Sequence, residues 1–207
     1  THFSYNPLRI GIIARFYHSS ANFLSLMNHT LLNYTISERI AAFSTTRISP
    51  FSLQEEDILQ MGNYAAFNVT DYCGDDFARV KQNKEWLCRE LNIENEQLWL
   101  PRQTPTDNVI AIDAPFLSLP QEQQKQNLQE IDALLTNLPQ QCIGVSTADC
   151  VPILVYDEAH QAIAAIHAGW RGTIKRIAEK ALQEMEHRYG TTPADCKAVI
   201  GPSISLE

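Results

Sequence analysis

The stretch from residue 146 to residue 172 reads STADCVPILVYDEAHQAIAAIHAGWRG. It contains two apolar runs with β-branched residues, which predict two short strands. A reactive side chain stands at one end of each run, since Cys150 precedes the first and His167 ends the second. If the two runs pair as neighbouring strands, the thiol and the imidazole meet at one edge of the sheet. There they could bind zinc or copper, or act as nucleophile and base.

The 17 positions that separate Cys150 from His167 do not by themselves favour such a site. A free cysteine is commonly buried as a small apolar side chain. A histidine at a strand end commonly satisfies its hydrogen bonds within the protein. Both alternatives stay open until the surrounding sequence is considered.

Strands and helices are predicted to alternate along most of the chain. The predicted strands cover residues 39–47, 97–100, 108–112, 131–136, 162–166 and the segment KAVIGPSIS. One helix is predicted to begin at Asp75 or Asp76, which are typical N-cap residues. A second helix follows from an apolar stripe that starts at Ile174, and Gly190 is a typical residue just after its end. This alternation predicts an α/β fold.

The composition is that of a chain able to bury a core. Of the 207 residues, 44% are hydrophobic and 19% are charged, and the formal net charge is -8. The acidic balance argues against binding to nucleic acid, and no apolar stretch is long enough to span a bilayer. The five cysteines include no CxxC pair. This favours free thiols in a reducing compartment, so we expect a cytoplasmic protein. The sequence does not define an oligomeric state.

Residues 1–26 differ in their pattern of apolar and polar residues from the rest of the chain. Their apolar middle is interrupted by Arg15 and His18, so the segment makes a poor signal peptide. We expect residues 1–26 to be an extension before a natural start at Met27. A short amphipathic helix packed on the domain is the alternative. On the first interpretation, removing these residues leaves folding and activity intact.

Seven segments carry a resemblance to a known family. In chain order they are STTR, FNVTDYCGDD, PRQTPTDNV, DALLT, TADCVPIL, AAIHAGWRGT and IGPSIS. Together they resemble the family once called multicopper polyphenol oxidases, or laccase-domain proteins, whose members are purine nucleoside phosphorylases that also deaminate adenosine. Several ordered motifs of this length are far more specific than one short pattern.

The resemblance implies a single domain over residues 27–207, with mixed β-sheets in a sandwich flanked by helices. This is an α/β, or α+β, fold class. Members of the family continue well past the IGPSIS segment, so the domain is expected to be truncated at its C-terminus. The implied partners are phosphate and purine nucleosides, namely adenosine, inosine and, as a further substrate, methylthioadenosine. Within the motifs, Trp170 could face a purine, but a tryptophan flanked by glycine is more often a packing anchor. Asp132 is expected to be structural.

The resemblance also implies a zinc site of two histidines and one cysteine, with copper as the alternative metal. Cys150 matches the cysteine of the TADC motif, and His167 matches the histidine of the HAGWRG motif. The third family ligand is a histidine at the position of Pro105, which has no ligating side chain. We therefore expect substoichiometric zinc and impaired activity, unless Tyr72 or His29 supplies the third bond.

Four further polar residues are candidates for the catalytic and binding site. Asp149, beside Cys150, could orient a ligand or accept a proton, although an aspartate there also favours a turn. Arg171 lies where a helix opens, and backbone N–H groups at a helix start favour an anion such as phosphate. Arg47 is a second candidate for phosphate or substrate, and Asn68 could bond a ribose hydroxyl. Surface charge and turn formation are the alternatives for these residues.

Three functions are compatible with these residues. The leading one is a zinc-dependent purine nucleoside phosphorylase and adenosine deaminase. The second is a metal-free cysteine hydrolase, with Cys150 as nucleophile and His167 as base. The third is a folded binding protein without catalysis, in which Pro105 has abolished the metal site. Metal content separates the first from the others, and the reactivity of the thiol separates the second from the third.

Overall fold

The computed structural model describes residues 10–16 and 29–204, which form ten strands and six α-helices. The strands are β1 (Ile10–Phe16), β2 (Leu31–Tyr34), β3 (Ile40–Thr45), β4 (Leu98–Trp99), β5 (Val109–Ala111), β6 (Ala133–Thr136), β7 (Cys142–Thr147), β8 (Val151–Asp157), β9 (Ala162–Ala168) and β10 (Lys197–Ile200). The helices are α1 (Glu55–Met61), α2 (Phe77–Leu91), α3 (Ala114–Leu117), α4 (Gln121–Asn127), α5 (Trp170–Ile174) and α6 (Ile177–Tyr189). Among the described helices, none has the length and apolar character needed to cross a bilayer.

Two five-stranded sheets make up the centre of the protein. The first has the strand order β2-β3-β1-β7-β4, and the second has the order β10-β8-β9-β6-β5. Neighbouring strands are antiparallel except for β4 beside β7 and β5 beside β6, which are parallel. This combination confirms the predicted mixed sheets.

The two sheets pack face to face around an apolar core. Ile143 and Val145 of β7 lie in the same buried cluster as Leu154 of β8 and Ile163 of β9. Side chains alternate between the two faces of a strand, so every second residue of these strands reaches this core. Burying one such side chain contributes about 1.5–3 kcal/mol, which makes the contact between the sheets a major source of stability.

A helix covers the outer face of each sheet. α2 packs on the first sheet through Leu87, which shares a buried cluster with Phe43 of β3. α6 packs on the second sheet through Ile177 and Met185, which share a buried cluster with Ile166 of β9. The layers follow one another as helix, sheet, sheet and helix. This confirms the predicted α/β fold class, with a sandwich flanked by helices.

The ends of α2 and α6 follow local signals, with one exception. Asp76 is the N-cap of α2, where its carboxylate accepts a hydrogen bond from the Arg79 backbone N–H at 2.9 Å. α6 ends at Gly190, whose φ of 75° lies in the left-handed region that glycine favours. The exception is the start of α6. Arg176 adopts a left-handed φ of 61° and separates α5 from α6, so Ile174 is 73% exposed and lies outside the predicted stripe.

β1 occupies the centre of the first sheet, between β3 and β7. It pairs with both strands in antiparallel orientation, with Ile12 opposite Ser44 of β3. The interpretation of residues 1–26 as an extension apart from the domain does not hold for this strand, and neither does the alternative of a packed helix. The sequence does not predict the strand because Arg15 interrupts the apolar run. The expected start at Met27 lies outside the described residues.

Deletion of residues 1–26 is expected to prevent stable folding, because it removes β1 and leaves the facing edges of β3 and β7 unpaired. β1 pairs five residues with β3 and six with β7. Each lost hydrogen bond costs about 0.5–1.5 kcal/mol, against a total stability of about 5–15 kcal/mol. Urea denaturation followed by circular dichroism measures the change. Deletion of residues 1–9, which precede β1, is the matched control, and equal urea midpoints for the two deletions would contradict the central place of β1.

Candidate active site

Three strand ends meet at one end of the second sheet. β8 and β9 are antiparallel, with Pro152 opposite His167 near the end of β9. β6 runs antiparallel on the other side of β9, so its first residue, Ala133, also lies at this end. The residues that directly precede β8 and β6 are Cys150 and Asp132. They therefore flank His167 at the same edge.

Cys150 and His167 converge on the small space beside Gly169. A Cβ atom added to Gly169 would lie 3.2 Å from Sγ of Cys150 and 3.7 Å from Nε2 of His167. A side chain at position 169 would crowd the sulfur of Cys150 and contact the imidazole, so this close approach favours glycine. The structure thus brings together the two residues that the sequence pattern singles out.

Asp132 holds the imidazole of His167 from the other side. Nδ1 of His167 lies 2.7 Å from Oδ1 of Asp132. The His167 backbone N–H also donates to the Asp132 carbonyl at 2.8 Å. With Nδ1 engaged, Nε2 is left on the side of Cys150. Asp132, expected to be structural, is therefore a site residue that sequence reasoning missed. The sequence feature that could have indicated Asp132 is its place directly before an apolar run, which is also the place of Cys150.

A strap of residues 101–108 crosses the same end of the sandwich. The side-chain amide of Gln103 bonds the backbone of Ser146 twice, because Nε2 donates to the carbonyl at 2.7 Å and Oε1 accepts from the N–H at 2.6 Å. The Gln103 backbone N–H donates to the Tyr72 hydroxyl at 3.3 Å. Ser146 lies near the end of β7, just ahead of Cys150. These bonds therefore fix the strap beside the site.

The second half of the strap is anchored to Asp132 and to the helices. Oδ2 of Asp132 accepts bonds from the Thr106 backbone N–H at 2.9 Å and from the Thr106 hydroxyl. Asp107 forms ion pairs with Lys175, at 2.8 Å, and with Lys180. Hydrogen bonds from Lys175 and then Lys180 hold the pKa of Asp107 below its usual value. The strap is thus attached to both sheets and to the α5–α6 region.

Cys150 and His167 supply two donors of the kinds that zinc and copper accept. Pro105, at the position where the family resemblance implies a third ligand, lies in the strap between Gln103 and Thr106 and offers no donor. Within the described parts of the chain, no group of three or more His, Cys, Asp or Glu side chains is arranged to hold a metal ion. The residues present therefore fit part of a metal site but do not complete a site of three protein donors.

Tyr72 and His29 are the alternative sources of the third bond. Burial raises the pKa of the Tyr72 hydroxyl, which keeps its proton and accepts a bond from Gln103. His29 is exposed ahead of β2, and its backbone carbonyl accepts a bond from the Thr46 hydroxyl at 2.6 Å. Across the described ranges, His29 joins no metal-binding group with Cys150. His29 therefore does not supply the donor missing at position 105, and the Tyr72 hydroxyl is engaged by the Gln103 N–H.

The surroundings of Cys150 are negatively charged. Burial, and then the carboxylates of Asp149 and Asp132, raise the pKa of the Cys150 thiol above its usual value. The thiol therefore keeps its proton at neutral pH when no cation is bound. Asp149 directly precedes Cys150, and its backbone carbonyl accepts a bond from the Ile204 N–H at 3.1 Å. These charges favour a cation at the sulfur over a free thiolate.

Arg47 stands at the same end of the sandwich, in the first sheet. β3 and β7 are both antiparallel to β1 and so run in the same direction, which means that Arg47 follows β3 as Cys150 follows β7. Nε of Arg47 is buried without a hydrogen-bond partner. The side chain lines a cavity of about 440 Å³ together with Ile48, Phe51 and Ile58. A buried, unpaired donor beside an open cavity suits contact with a ligand.

Asn68 is used inside the protein. It is 5% exposed, its Nδ2 donates to Asp75 at 2.8 Å, and its Oδ1 accepts from the Thr70 N–H at 2.9 Å. Asp75 also pairs with Arg79 of α2. The amide therefore organises the loop that leads into α2. The predicted contact with a ribose hydroxyl is not supported, because the group is buried and already bonded.

Arg171 lies on α5, four residues after His167. Its guanidinium stacks over the Trp170 ring at 4.2 Å from the centroid. Trp170 is 65% exposed, so the expectation that it is a packing anchor is wrong. The stacking holds a cationic group at the surface near the site, where an anion can reach it.

A second cavity, of about 310 Å³, lies between α2 and α4 over Trp99 of β4. Its rim carries Lys81, Lys84 and Lys125, which pair with neighbouring carboxylates. None of the predicted site residues lines this cavity. It is therefore separate from the thiol–imidazole pair.

Comparison with known proteins places the chain in a family. Residues 43–207 match the family model described as multi-copper polyphenol oxidoreductase laccase. The purine nucleoside phosphorylase of Bacteroides thetaiotaomicron is 45% identical over 163 residues, which are 79% of this chain and 60% of that protein. Adenosine deaminase RL5, from an unknown prokaryotic organism, is 40% identical over 167 residues, which are 81% of this chain and 60% of that protein. The chain thus spans about 60% of the length of these curated relatives.

A solved structure has the same fold. YlmD from Geobacillus stearothermophilus superimposes with a TM-score of 0.65 at 24% sequence identity, over 79% of this chain and 58% of that chain. At this identity the likeness concerns the fold alone. The family match over residues 43–207 and the 45% identity go further, and they establish that the chain belongs to the multi-copper polyphenol oxidoreductase laccase family.

Proposed function

We propose that the chain is a purine nucleoside enzyme, a phosphorylase that also deaminates adenosine, whose metal site lacks one donor. The names of its relatives, purine nucleoside phosphorylase and adenosine deaminase, support the substrate class. The observation that carries the proposal is the convergence of Sγ of Cys150 and Nε2 of His167 on Gly169, with Nδ1 of His167 bonded to Asp132. A histidine oriented in this way by a carboxylate is typical of a metal ligand.

Zinc is the metal that we propose for this pair, with copper as the alternative that the family description suggests. Two protein donors hold zinc less firmly than three, because fewer bonds oppose the return of the metal to water. Pro105 leaves the third position without a donor. We therefore expect the unmodified protein to carry less than one equivalent of zinc and to turn over nucleosides weakly.

The proposed ligands are phosphate and the purine nucleosides adenosine, inosine and methylthioadenosine. The cavity beside Arg47 has a volume of about 440 Å³, which is in the range of small-molecule sites. The unpaired Nε of Arg47 would donate to an oxygen of the substrate. Arg171, held by its stacking on Trp170, would offer its guanidinium to phosphate.

Asp149 is the proposed proton acceptor. In deamination, water adds to the purine C6 and gives up a proton to the acceptor. The acceptor returns the proton to the amino group, so that the C6–N bond breaks and ammonia leaves. Asp149 directly precedes Cys150, and its charge contributes to the raised pKa of that thiol after burial. The same closeness suits its carboxylate to take a proton from water near Cys150.

We place this activity in the cytoplasm. Cys88, Cys150 and Cys196 are free thiols in the structure, as expected in a reducing compartment. Neither nucleic acid nor a membrane is among the proposed partners, given the net charge of -8.

The alternative of a metal-free cysteine hydrolase has less support. That chemistry needs a thiol of depressed pKa beside its base. Burial, and then Asp149 and Asp132, instead raise the pKa of Cys150. A binding protein without catalysis is the other alternative. Restoring a metal donor at position 105 separates the two, because only an impaired enzyme would gain nucleoside turnover.

Restoring that donor is expected to raise zinc binding. In Pro105→His, an imidazole enters the strap between two anchored residues, Gln103 and Thr106. Zinc affinity should rise by more than the roughly 10–100-fold that a residue outside the metal shell contributes. Metal analysis by mass spectrometry, with turnover of inosine and adenosine on the same preparation, measures both effects.

Pro105→Ala is the matched control, because it removes the backbone constraint of proline without adding a donor. It should leave zinc occupancy low. Full occupancy in the unmodified protein would mean that another group supplies the third bond. No gain in Pro105→His over Pro105→Ala would mean that the thiol and the imidazole are not a metal site.

Removing the Arg47 guanidinium is expected to weaken substrate binding. Arg47→Leu loses a hydrogen bond from a charged group, worth about 1.5–3 kcal/mol, so KM for inosine should rise roughly 10–150-fold in the Pro105→His background. Arg89→Leu, at an exposed arginine in the last turn of α2, is the control. Steady-state kinetics compares the two, and an unchanged KM in Arg47→Leu removes Arg47 from the substrate site.

A further inference from the structure

We infer that Asp132 is a positioning residue that sets the tautomer of His167. Its carboxylate lies between the imidazole and the strap, with Oδ1 at 2.7 Å from Nδ1 of His167 and Oδ2 bonded to Thr106. The side chain of Asp132 is 1% exposed and that of His167 is 15% exposed, so little water competes for these bonds. The inference deepens the proposed function, on which its consequence for metal binding rests.

The geometry leaves one way for His167 to bond this carboxylate. An ionised carboxylate only accepts hydrogen bonds. A neutral imidazole protonated on Nε2 would turn the lone pair of Nδ1 toward Oδ1 of Asp132, 2.7 Å away, and the two acceptors would repel each other. The imidazole therefore carries its hydrogen on Nδ1. Nε2 then presents a lone pair on the side of Cys150.

Thr106 makes Asp132 a link between His167 and the strap. It donates both its backbone N–H, at 2.9 Å, and its hydroxyl to Oδ2, which fixes the orientation of the carboxylate. Pro105, at the missing donor position, directly precedes Thr106. One buried carboxylate thus orients the histidine and holds the part of the strap next to Pro105.

Asp132→Asn is the substitution that separates this role from a structural one. The backbone bonds of residue 132 do not depend on its side chain, since its N–H donates to Asn108 at 3.0 Å and its carbonyl accepts from His167 at 2.8 Å. The two Thr106 donors would hold the oxygen of the new amide, so that its NH2 group faces Nδ1 of His167. Nδ1 must then accept, and the ring hydrogen moves to Nε2.

Two-bond 1H–15N correlation spectra of the metal-free protein, labelled with 15N-histidine, report the tautomer. In its neutral form, His167 should carry hydrogen on Nδ1 in the unmodified protein and on Nε2 in Asp132→Asn, so the spectra are recorded at a pH where the ring nitrogens of both proteins show the shifts of a neutral imidazole. His160, which bonds Asp157 at 2.7 Å, is an internal reference that should not change. Hydrogen on Nε2 in the unmodified protein, or the same tautomer in both proteins, overturns the inference.

A zinc titration gives the second readout. In the Pro105→His background, Asp132→Asn should lower zinc affinity by roughly 10–100-fold, measured by competition with a chromophoric chelator. Asp107→Asn is the matched control, because it removes the ion pairs of the strap with Lys175 and Lys180 without contact to the imidazole. Equal losses of zinc affinity in the two variants would overturn the inference, because they would show that zinc binding depends on the position of the strap and not on the tautomer of His167. A tautomer change with no zinc binding in any variant would support the positioning role and reject the proposed function.

Discussion

The antiparallel pairing of β8 with β9 is the constraint on which the site depends. Its register sets Pro152 opposite His167 and Leu154 opposite Ala165, and Leu154 and Ala165 are buried together between the two sheets. A shift of one residue would turn every side chain of β9 to its other face. His167 would then leave the thiol, and the apolar residues would leave the core. Burial of the core and assembly of the site therefore specify the same register.

Local patterns account for much of this arrangement. β7, β8 and β9 are mainly apolar runs that contain β-branched residues, and a polar side chain beside two of them is enough to predict that Cys150 and His167 meet if the strands pair. Asp76 and Gly190, which cap α2 and end α6, are equally local signals, because each acts within one helical turn. The motifs shared with the family add what local patterns cannot, namely the kind of chemistry.

The features that sequence reasoning missed depend on contacts between distant parts of the chain. Asp132 meets His167 across 35 positions, and Gln103 meets Ser146 across 43, and no local preference reports such pairs. The failure to predict β1 has the same reason. Whether a short run broken by Arg15 becomes a strand depends on the open edges that β3 and β7 offer to it. Long-range partners thus decide both the centre of the first sheet and the orientation of the imidazole.

The proposed chemistry depends on a sulfur and an imidazole nitrogen that share one small space, while the position that the family resemblance assigns to a third donor holds a proline. The two donors are held by the fold, through β8, β9 and the buried carboxylate of Asp132. X-ray absorption at the zinc edge, on the unmodified protein loaded with one equivalent of zinc, measures this arrangement directly. One sulfur at about 2.3 Å and one imidazole nitrogen at about 2.0–2.1 Å, with water oxygens as the remaining neighbours, is the expected shell. A shell without sulfur, or with two imidazoles, would contradict the assignment of Cys150 and His167 as the metal-facing pair.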